Sequence, residues 1–161
     1  MFTKLIFAFA LIGSSQFLLA AGIQGQYSNE KEVIVFSENR SSCENDGGSW
    51  QMDQETCLFE AMDKVIVKKK GKEFEIQVNT VGSNFHTCEF IAPAKLNQNT
   101  LIASALSEEY NPKSGQLIEV LCEIKATIEN NRLQITSNQH CQSFCGANAG
   151  LEVKLLLKEN K

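Results

Sequence analysis

The chain has 161 residues, of which 43% are hydrophobic, and a formal net charge of −4 at pH 7. That length is enough for one domain with a substantial core. A mildly acidic chain without a basic face argues against nucleic acid or anionic lipid as a partner.

Residues 1–21 have the pattern of a secretory signal peptide. Lys4 supplies the positive charge, residues 5–12 form the apolar core, and residues 19–22 form a cleavage zone in which three of the four residues are small. Residues 13–16 interrupt the apolar run, which is therefore too short to span a bilayer. We expect a periplasmic or secreted protein without an integral membrane segment.

We predict a single β domain over residues 22–161. Its N-terminal part, residues 22–61, is rich in loop-forming residues, whereas residues 62–158 form the main sheet. Residues 22–31 are rich in Gly, Gln, Ser and Asn, which indicates a flexible lead with Tyr27 as an anchor. The N-terminal part is too small for a core of its own and belongs to the same domain.

A β-branched run at residues 32–37 predicts the first strand, and the polar residues 39–55 predict a loop. Cys43 lies near the start of that loop, and Cys57 lies just after its end. A disulfide between them would contribute about 3 kcal/mol in the chain-entropy model. We therefore predict that these two cysteines are paired.

From Met62 onward, apolar and polar residues alternate with the period of a β-strand. The alternation continues on both sides of Lys70-Gly71, which predicts a hairpin. The next strand, residues 86–96, contains Pro93, so we expect an edge or a bulge there. The predicted inward residues of these strands are Val65, Val67, Phe74, Ile76, Val78, Cys88, Phe90, Ala92, Ala94 and Leu96.

Further strands are predicted at residues 101–106, 118–128 and 151–157, with a tight turn at Asn130-Asn131 and another strand after it. Seven or eight short antiparallel strands with local connections predict a meander. We expect the meander to close as a small barrel or to fold as a sandwich.

A short helix is predicted at residues 139–145, with Asn138 as its N-cap and Gly146 just beyond its end. Cys141 and Cys145 would lie one turn apart on it. Their Cβ vectors would then run parallel, so a mutual disulfide would strain the helix. The two cysteines of such a helix are better placed to form disulfides with cysteines on two different strands.

All six cysteines follow the signal peptide. Because an exported protein folds in an oxidising compartment, we predict three disulfides and no free thiol. The turn at Asn130-Asn131 places Cys122 opposite residue 139, close to Cys141. We therefore predict Cys122–Cys141, which leaves Cys88–Cys145. The alternative pairing is Cys88–Cys122 with Cys141–Cys145.

Metal binding is the main alternative function, because His86 and His140 each lie beside cysteines. Such ligands suit zinc or Cu(I), yet an oxidising compartment favours disulfides, and we expect no metal or other cofactor. The spacing Cys141-x-x-x-Cys145 differs from the C-x-x-C of thiol oxidoreductases. Neither histidine lies in a nucleophile motif, so we predict that the protein is not an enzyme.

The combination of His86-x-Cys88, Cys122 and Cys141-x-x-x-Cys145-Gly146 resembles a motif set of small exported bacterial proteins of uncharacterised function. The resemblance covers residues 62–157 and gives no indication of what the protein does.

A signal peptide followed by a small disulfide-bonded β-barrel is also similar to the periplasmic lysozyme inhibitors. Those proteins carry an S-G-x-x-Y loop that enters the lysozyme cleft. This chain has Ser114-Gly115, but Ile118 stands at the tyrosine position.

We therefore expect a binding protein, with inhibition of an envelope-active enzyme as one form of that function and a structural envelope role as another alternative. The expected partner is a protein or another envelope component. The predicted loop at residues 108–116 is the candidate surface, with Tyr110 and Ser114 as its binding residues.

Overall fold

The computed structural model describes residues 23–157, so the predicted signal peptide, residues 1–21, lies outside the described residues. The described part forms nine strands, one short α-helix and two 3-10 helices. The elements in chain order are β1 (Gly25–Val35), α1 (Arg40–Asn45), β2 (Ser49–Gln51), β3 (Thr56–Lys70), β4 (Glu73–Val81), a 3-10 helix (Ser83–Phe85), β5 (Thr87–Asn97), β6 (Thr100–Asn111), β7 (Gln116–Glu129), β8 (Arg132–Ser137), a second 3-10 helix (Gln139–Phe144) and β9 (Val153–Leu157).

The strands form one antiparallel sheet that is nearly closed into a barrel. Neighbouring strands pair in the order β1, β9, β8, β7, β6, β5, β4, β3, β2, and β1 also pairs with β3. This additional pairing completes a ring of all strands except β2, which pairs only with the beginning of β3. The predicted all-β meander is confirmed, with the barrel as its architecture.

The two ends of the barrel differ in their connections. One end has tight turns centred on Gly71, Gln98-Asn99 and Asn130-Asn131. Gly71, Gln98, Asn130 and Asn131 have positive φ, which such turns require. The other end, which we call the disulfide end, carries the longer connections and the three disulfides.

The barrel core confirms the predicted alternation. The inward side chains of β3, β4 and β5 are buried, and the core is completed by residues of β6, β7, β8 and β9. Leu96 is only partly buried and packs at the margin. The buried residues of the predicted set are Val65, Val67, Phe74, Ile76, Val78, Cys88, Phe90, Ala92 and Ala94.

The expected flexible lead is wrong, because β1 begins at Gly25 and pairs with β3 along its whole length. Backbone bonds to β3 hold this polar strand, so it needs few apolar residues. Tyr27 is the anchor that the sequence predicted: it is fully buried, and its hydroxyl donates to the Ile23 carbonyl at 3.0 Å. Burial raises the pKa of the Tyr27 phenol.

The predicted loop at residues 39–55 contains two regular elements instead. The Asn39 side chain caps α1 by accepting a hydrogen bond from the Ser42 N–H at 3.0 Å. Cys43 on α1 is buried and bonded to Cys57 on β3, as predicted. The disulfide therefore holds α1 and β2 against the end of the barrel.

The barrel is incomplete between β5 and β6, where the ladder covers only Ala94–Asn97 and Thr100–Ala103. A two-residue turn makes its flanking pair a hydrogen-bonded one, and such pairs alternate along a ladder. The next hydrogen-bonded pair beyond the ladder would join Pro93 to Ser104. Pro93 has no N–H, so the strands separate there, in agreement with the edge expected at this residue.

The cysteine segment, residues 138–146, pairs with the first residues of β5, where β6 is absent. Cys145 forms a β-bridge and a disulfide with Cys88 on β5. Gly146 N–H donates to the Thr87 carbonyl at 2.8 Å. The segment thus takes the place of β6 beside the first residues of β5.

Both predicted pairings in this region, Cys122–Cys141 and Cys88–Cys145, are confirmed, and no cysteine of the chain is free. The predicted helix is present as a 3-10 helix with Asn138 as its N-cap. Cys145 lies just beyond it in an extended conformation, so the two cysteines do not share a helical face. Three disulfides are typical of proteins that fold outside the cytoplasm.

No helix within residues 23–157 has both the length and the apolar character needed to cross a membrane.

Candidate functional site

A two-stranded hairpin extends beyond the incomplete part of the barrel. We call it the arm; it comprises residues 104–123 of β6 and β7 and the turn between them. β5 no longer pairs with β6 beyond Ala103, and β8 pairs with β7 only from Ile124. Both edges of the arm therefore lack a neighbouring strand within residues 23–157.

The arm corrects the predicted loop at residues 108–116. The strands continue to Asn111 and resume at Gln116, so only residues 112–115 form the turn. Tyr110 consequently lies on β6, whereas Ser114 is exposed in the turn. Pro112 and Gly115, which suggested a long loop, lie only in the turn at the tip of the arm. The two flanking strands continue up to this turn with exposed side chains.

The outward face of the arm is unusually apolar. Directly opposed residues of an antiparallel pair share a face, which places Leu106 beside Leu121 and Tyr110 beside Leu117. These four side chains are 66%, 50%, 65% and 64% exposed, respectively. We call this face the outer strip; the opposed pair Glu108 and Glu119 lies at its middle.

The inward face of the arm contacts the cysteine segment. His140 Nδ1 lies 3.1 Å from both carboxylate oxygens of Glu109. The Ser107 and Ser143 hydroxyls are hydrogen-bonded, and Ser107 is buried. With the Cys122–Cys141 disulfide, these contacts hold the arm in one orientation relative to the barrel.

Asn138 secures the base of the arm at its β7 edge. Its backbone N–H donates to the Glu123 carbonyl at 3.0 Å, and its Nδ2 donates to the Leu121 carbonyl at 2.9 Å. Its Oδ1 also accepts from the His140 N–H at 3.2 Å. One side chain therefore caps the 3-10 helix and bonds the edge of β7.

The tip of the arm is a defined turn. Gly115 N–H donates to the Asn111 carbonyl at 2.9 Å, and Lys113 N–H donates to the Asn111 side chain at the same distance. Gly115 has φ +67°, which favours glycine. The turn thus presents Ser114 in a preformed geometry.

The histidines and cysteines of the metal site that the sequence raised as an alternative make other contacts in the structure. All six cysteines are in disulfides, so none can supply a thiolate. His140 contacts Glu109, and His86 packs so closely against Gly146 that a Cβ there would lie 3.0 Å from its Nδ1. Residues 23–157 hold no cluster of three or more His, Cys, Asp or Glu arranged for a metal ion.

A second apolar surface lies around the Cys43–Cys57 disulfide. Phe36 is 78% exposed, and its N–H donates to the Asn84 side chain at 2.6 Å. Asn84 and Phe85 both have positive φ, and the Phe85 ring packs edge-on against Phe59. These contacts join β1, β3 and the first 3-10 helix, which gives this surface a structural role.

Tyr110 of the outer strip is one of the binding residues predicted from the sequence, whereas Leu106, Leu117 and Leu121 were not among them. The period-2 pattern of β7 identified the face that includes Cys122 as inward. Residues 117 and 121 belong to the opposite face, and their apolar character was the available signal. An apolar residue on the outward face of a strand is a better sign of an interface than one on the inward face.

Comparisons of the chain with protein-family models, with curated proteins and with solved structures find no match.

Proposed function

We propose that this is a non-enzymatic exported protein that binds a protein partner through the outer strip, in the periplasm or after secretion. The observation that carries the proposal is the exposure of Leu106, Tyr110, Leu117 and Leu121 on one face of a projecting hairpin. Contiguous apolar surface of this kind marks interaction sites, and tyrosine is enriched in interfaces.

The attachment of the arm supports the same function. The inward contacts of Ser107, Glu109 and Cys122 with the cysteine segment hold the outer strip in place before binding. A surface that is already ordered loses less conformational entropy when a partner binds. The disulfides thus contribute to affinity as well as to stability.

Inhibition of an envelope-active enzyme is the specific form of binding that the tip would support. Ser114-Gly115 lies in a four-residue turn at the end of the arm, where it can enter a cleft. Ile118 pairs with Glu109 on the inward face, so the apolar contacts near the tip would come from Tyr110 and Leu117. An enzyme recovered as the partner should therefore lose activity when this protein is added.

The test is capture of partners from envelope and host extracts by immobilised variants. We expect a Tyr110→Ala, Leu117→Ala double variant to bind the captured partner about 10- to 100-fold more weakly than the wild type. Met52→Ala is the matched control, because Met52 is 72% exposed but lies outside the arm. Equal capture by the double variant and the wild type would contradict the proposal.

A further inference from the structure

We propose that the partner binds by adding an extended strand to the free edge of β6, between residues 104 and 110. This inference rests on the proposed function and specifies its partner chemistry. The partner segment would carry the pattern apolar-x-basic-x-apolar, in which x is any residue compatible with a strand.

The orientation of the β6 backbone supports strand addition. The β5–β6 and β7–β8 hairpins each have one two-residue turn, which makes the two residues that flank the turn a hydrogen-bonded pair. Because such pairs alternate along a ladder, the N–H and C=O groups of the odd-numbered residues of β6 point toward β7. The Ile128 N–H, which donates to Asn99, and the Glu123 carbonyl, which accepts from Asn138, agree with this orientation. The even-numbered groups of β6 therefore point away from β7.

Those groups belong to Ser104, Leu106, Glu108 and Tyr110. Beyond the β6–β7 ladder, no backbone hydrogen bond joins these four residues to any other part of residues 23–157. An unpaired row of N–H and C=O groups is a template for another strand. Domains that bind extended peptides use the same mode, in which backbone bonds give affinity and alternate side chains give specificity.

The side chains of the outer strip define the partner segment. Alternate residues of an added strand would lie beside Leu106, Glu108 and Tyr110. The first and last of these positions favour apolar residues. At the middle position, Glu108 lies directly opposite Glu119, and neither has an ion-pair partner within residues 23–157.

Like charges directly opposite each other destabilise a strand pair, so a partner lysine or arginine would relieve an unfavourable contact as well as form a new one. A second copy of this chain would instead bring two such acidic pairs together. Charge therefore favours a basic segment of another protein over self-association.

The experiment uses immobilised nine-residue peptides with valine-x-lysine-x-valine at the centre of a threonine background. Matched peptides carry glutamate or serine in place of lysine. We expect the wild-type protein to bind the lysine peptide about tenfold more tightly than the glutamate peptide. Equal binding of the two peptides would overturn the proposed partner chemistry.

Two variants of one residue separate the backbone from the charge. Glu108→Ala keeps the outward N–H, so it should still bind the peptides, but with a smaller preference for lysine over glutamate because only Glu119 remains. Glu108→Pro removes that N–H without breaking the β6–β7 ladder, because proline is tolerated where the N–H faces away from a neighbouring strand. It should bind none of the peptides, and binding equal to that of Glu108→Ala would overturn strand addition.

Amide hydrogen exchange provides a second readout that does not depend on the proline variant folding. With the lysine peptide present, exchange of the Leu106 and Glu108 amides of the wild type should slow at least about tenfold, because both N–H groups become hydrogen-bonded. Unchanged exchange at saturating peptide would contradict the proposal.

Failure of this inference can be distinguished from failure of the proposed function. If Tyr110→Ala, Leu117→Ala loses the captured partner while a folded Glu108→Pro retains it, the outer strip binds without strand addition. If both variants retain the partner, both proposals are wrong.

Discussion

Replacing Cys88 and Cys145 together by alanine is expected to lower the free energy of unfolding by about 4 kcal/mol. The reason is the sequence separation of 57 residues, the longest of the three disulfides. This disulfide also fastens the cysteine segment to β5 where β6 is absent. Urea unfolding of the wild type and the variant measures the difference.

The matched control is Cys43→Ala, Cys57→Ala, which opens a loop with a separation of only 14 residues. In the chain-entropy model this loss is about 3 kcal/mol. Without the Cys88–Cys145 disulfide, the arm should also become more mobile, since its inward contacts lie on the released segment. A control variant that is less stable than the Cys88, Cys145 variant would contradict this ordering.

Asp63→Ala is expected to destabilise the protein by about 3 kcal/mol, because it leaves two partners of a buried carboxylate unpaired. The Asp63 side chain is 4% exposed and lies 2.8 Å from Lys31 Nζ. It also accepts a hydrogen bond from the Val81 N–H at 2.9 Å. The β3–β4 ladder ends at Lys64 and Asn79, so Asp63 replaces a backbone partner there.

Asp63→Asn separates these two contributions. The amide oxygen can still accept from the Val81 N–H, while Lys31, whose side chain is 31% exposed, can turn toward water. We expect this variant to lose only about 1 to 2 kcal/mol. If thermal or urea unfolding shows that Asp63→Asn loses as much stability as Asp63→Ala, the ion pair, and not the hydrogen bond, is the larger contribution.

Much of the fold could be predicted because the features that determine it, namely alternation within strands and the residues of tight turns, lie close together in the sequence. Alternation in β3, β4 and β5 identified the inward face, and turn residues such as Gly71 and Asn130-Asn131 set the hairpin registers. Hairpin register also placed Cys122 near Cys141, from which the remaining disulfide followed.

The polar strand β1 could not be predicted in the same way. Its first residues are held by backbone bonds to β3, and only Tyr27 and Ser28 among residues 25–32 are buried. A strand stabilised in this manner has little apolar alternation. Its existence depends on a partner strand that begins more than twenty residues later in the chain.

The position of the arm also depends on tertiary structure. Pro93 indicated an interruption, but the sequence did not show that β6 and β7 continue beyond it as a projecting hairpin. The alternating residues of β7 therefore suggested a core face along the whole strand, whereas Ile118 is partly exposed and Leu117 largely so. The outer strip is set by where the pairing of β6 with β5 and of β7 with β8 ends, which depends on tertiary structure.

The most direct test of the outer strip as a binding surface is site-specific photo-crosslinking in the intact cell envelope. A benzophenone amino acid is placed at Leu117 in one variant and at Met52 in another, since both positions are exposed. We predict a discrete crosslinked protein species from position 117 and none from position 52. Crosslinking of the same species with equal yield from both positions, or from position 52 alone, would contradict the account.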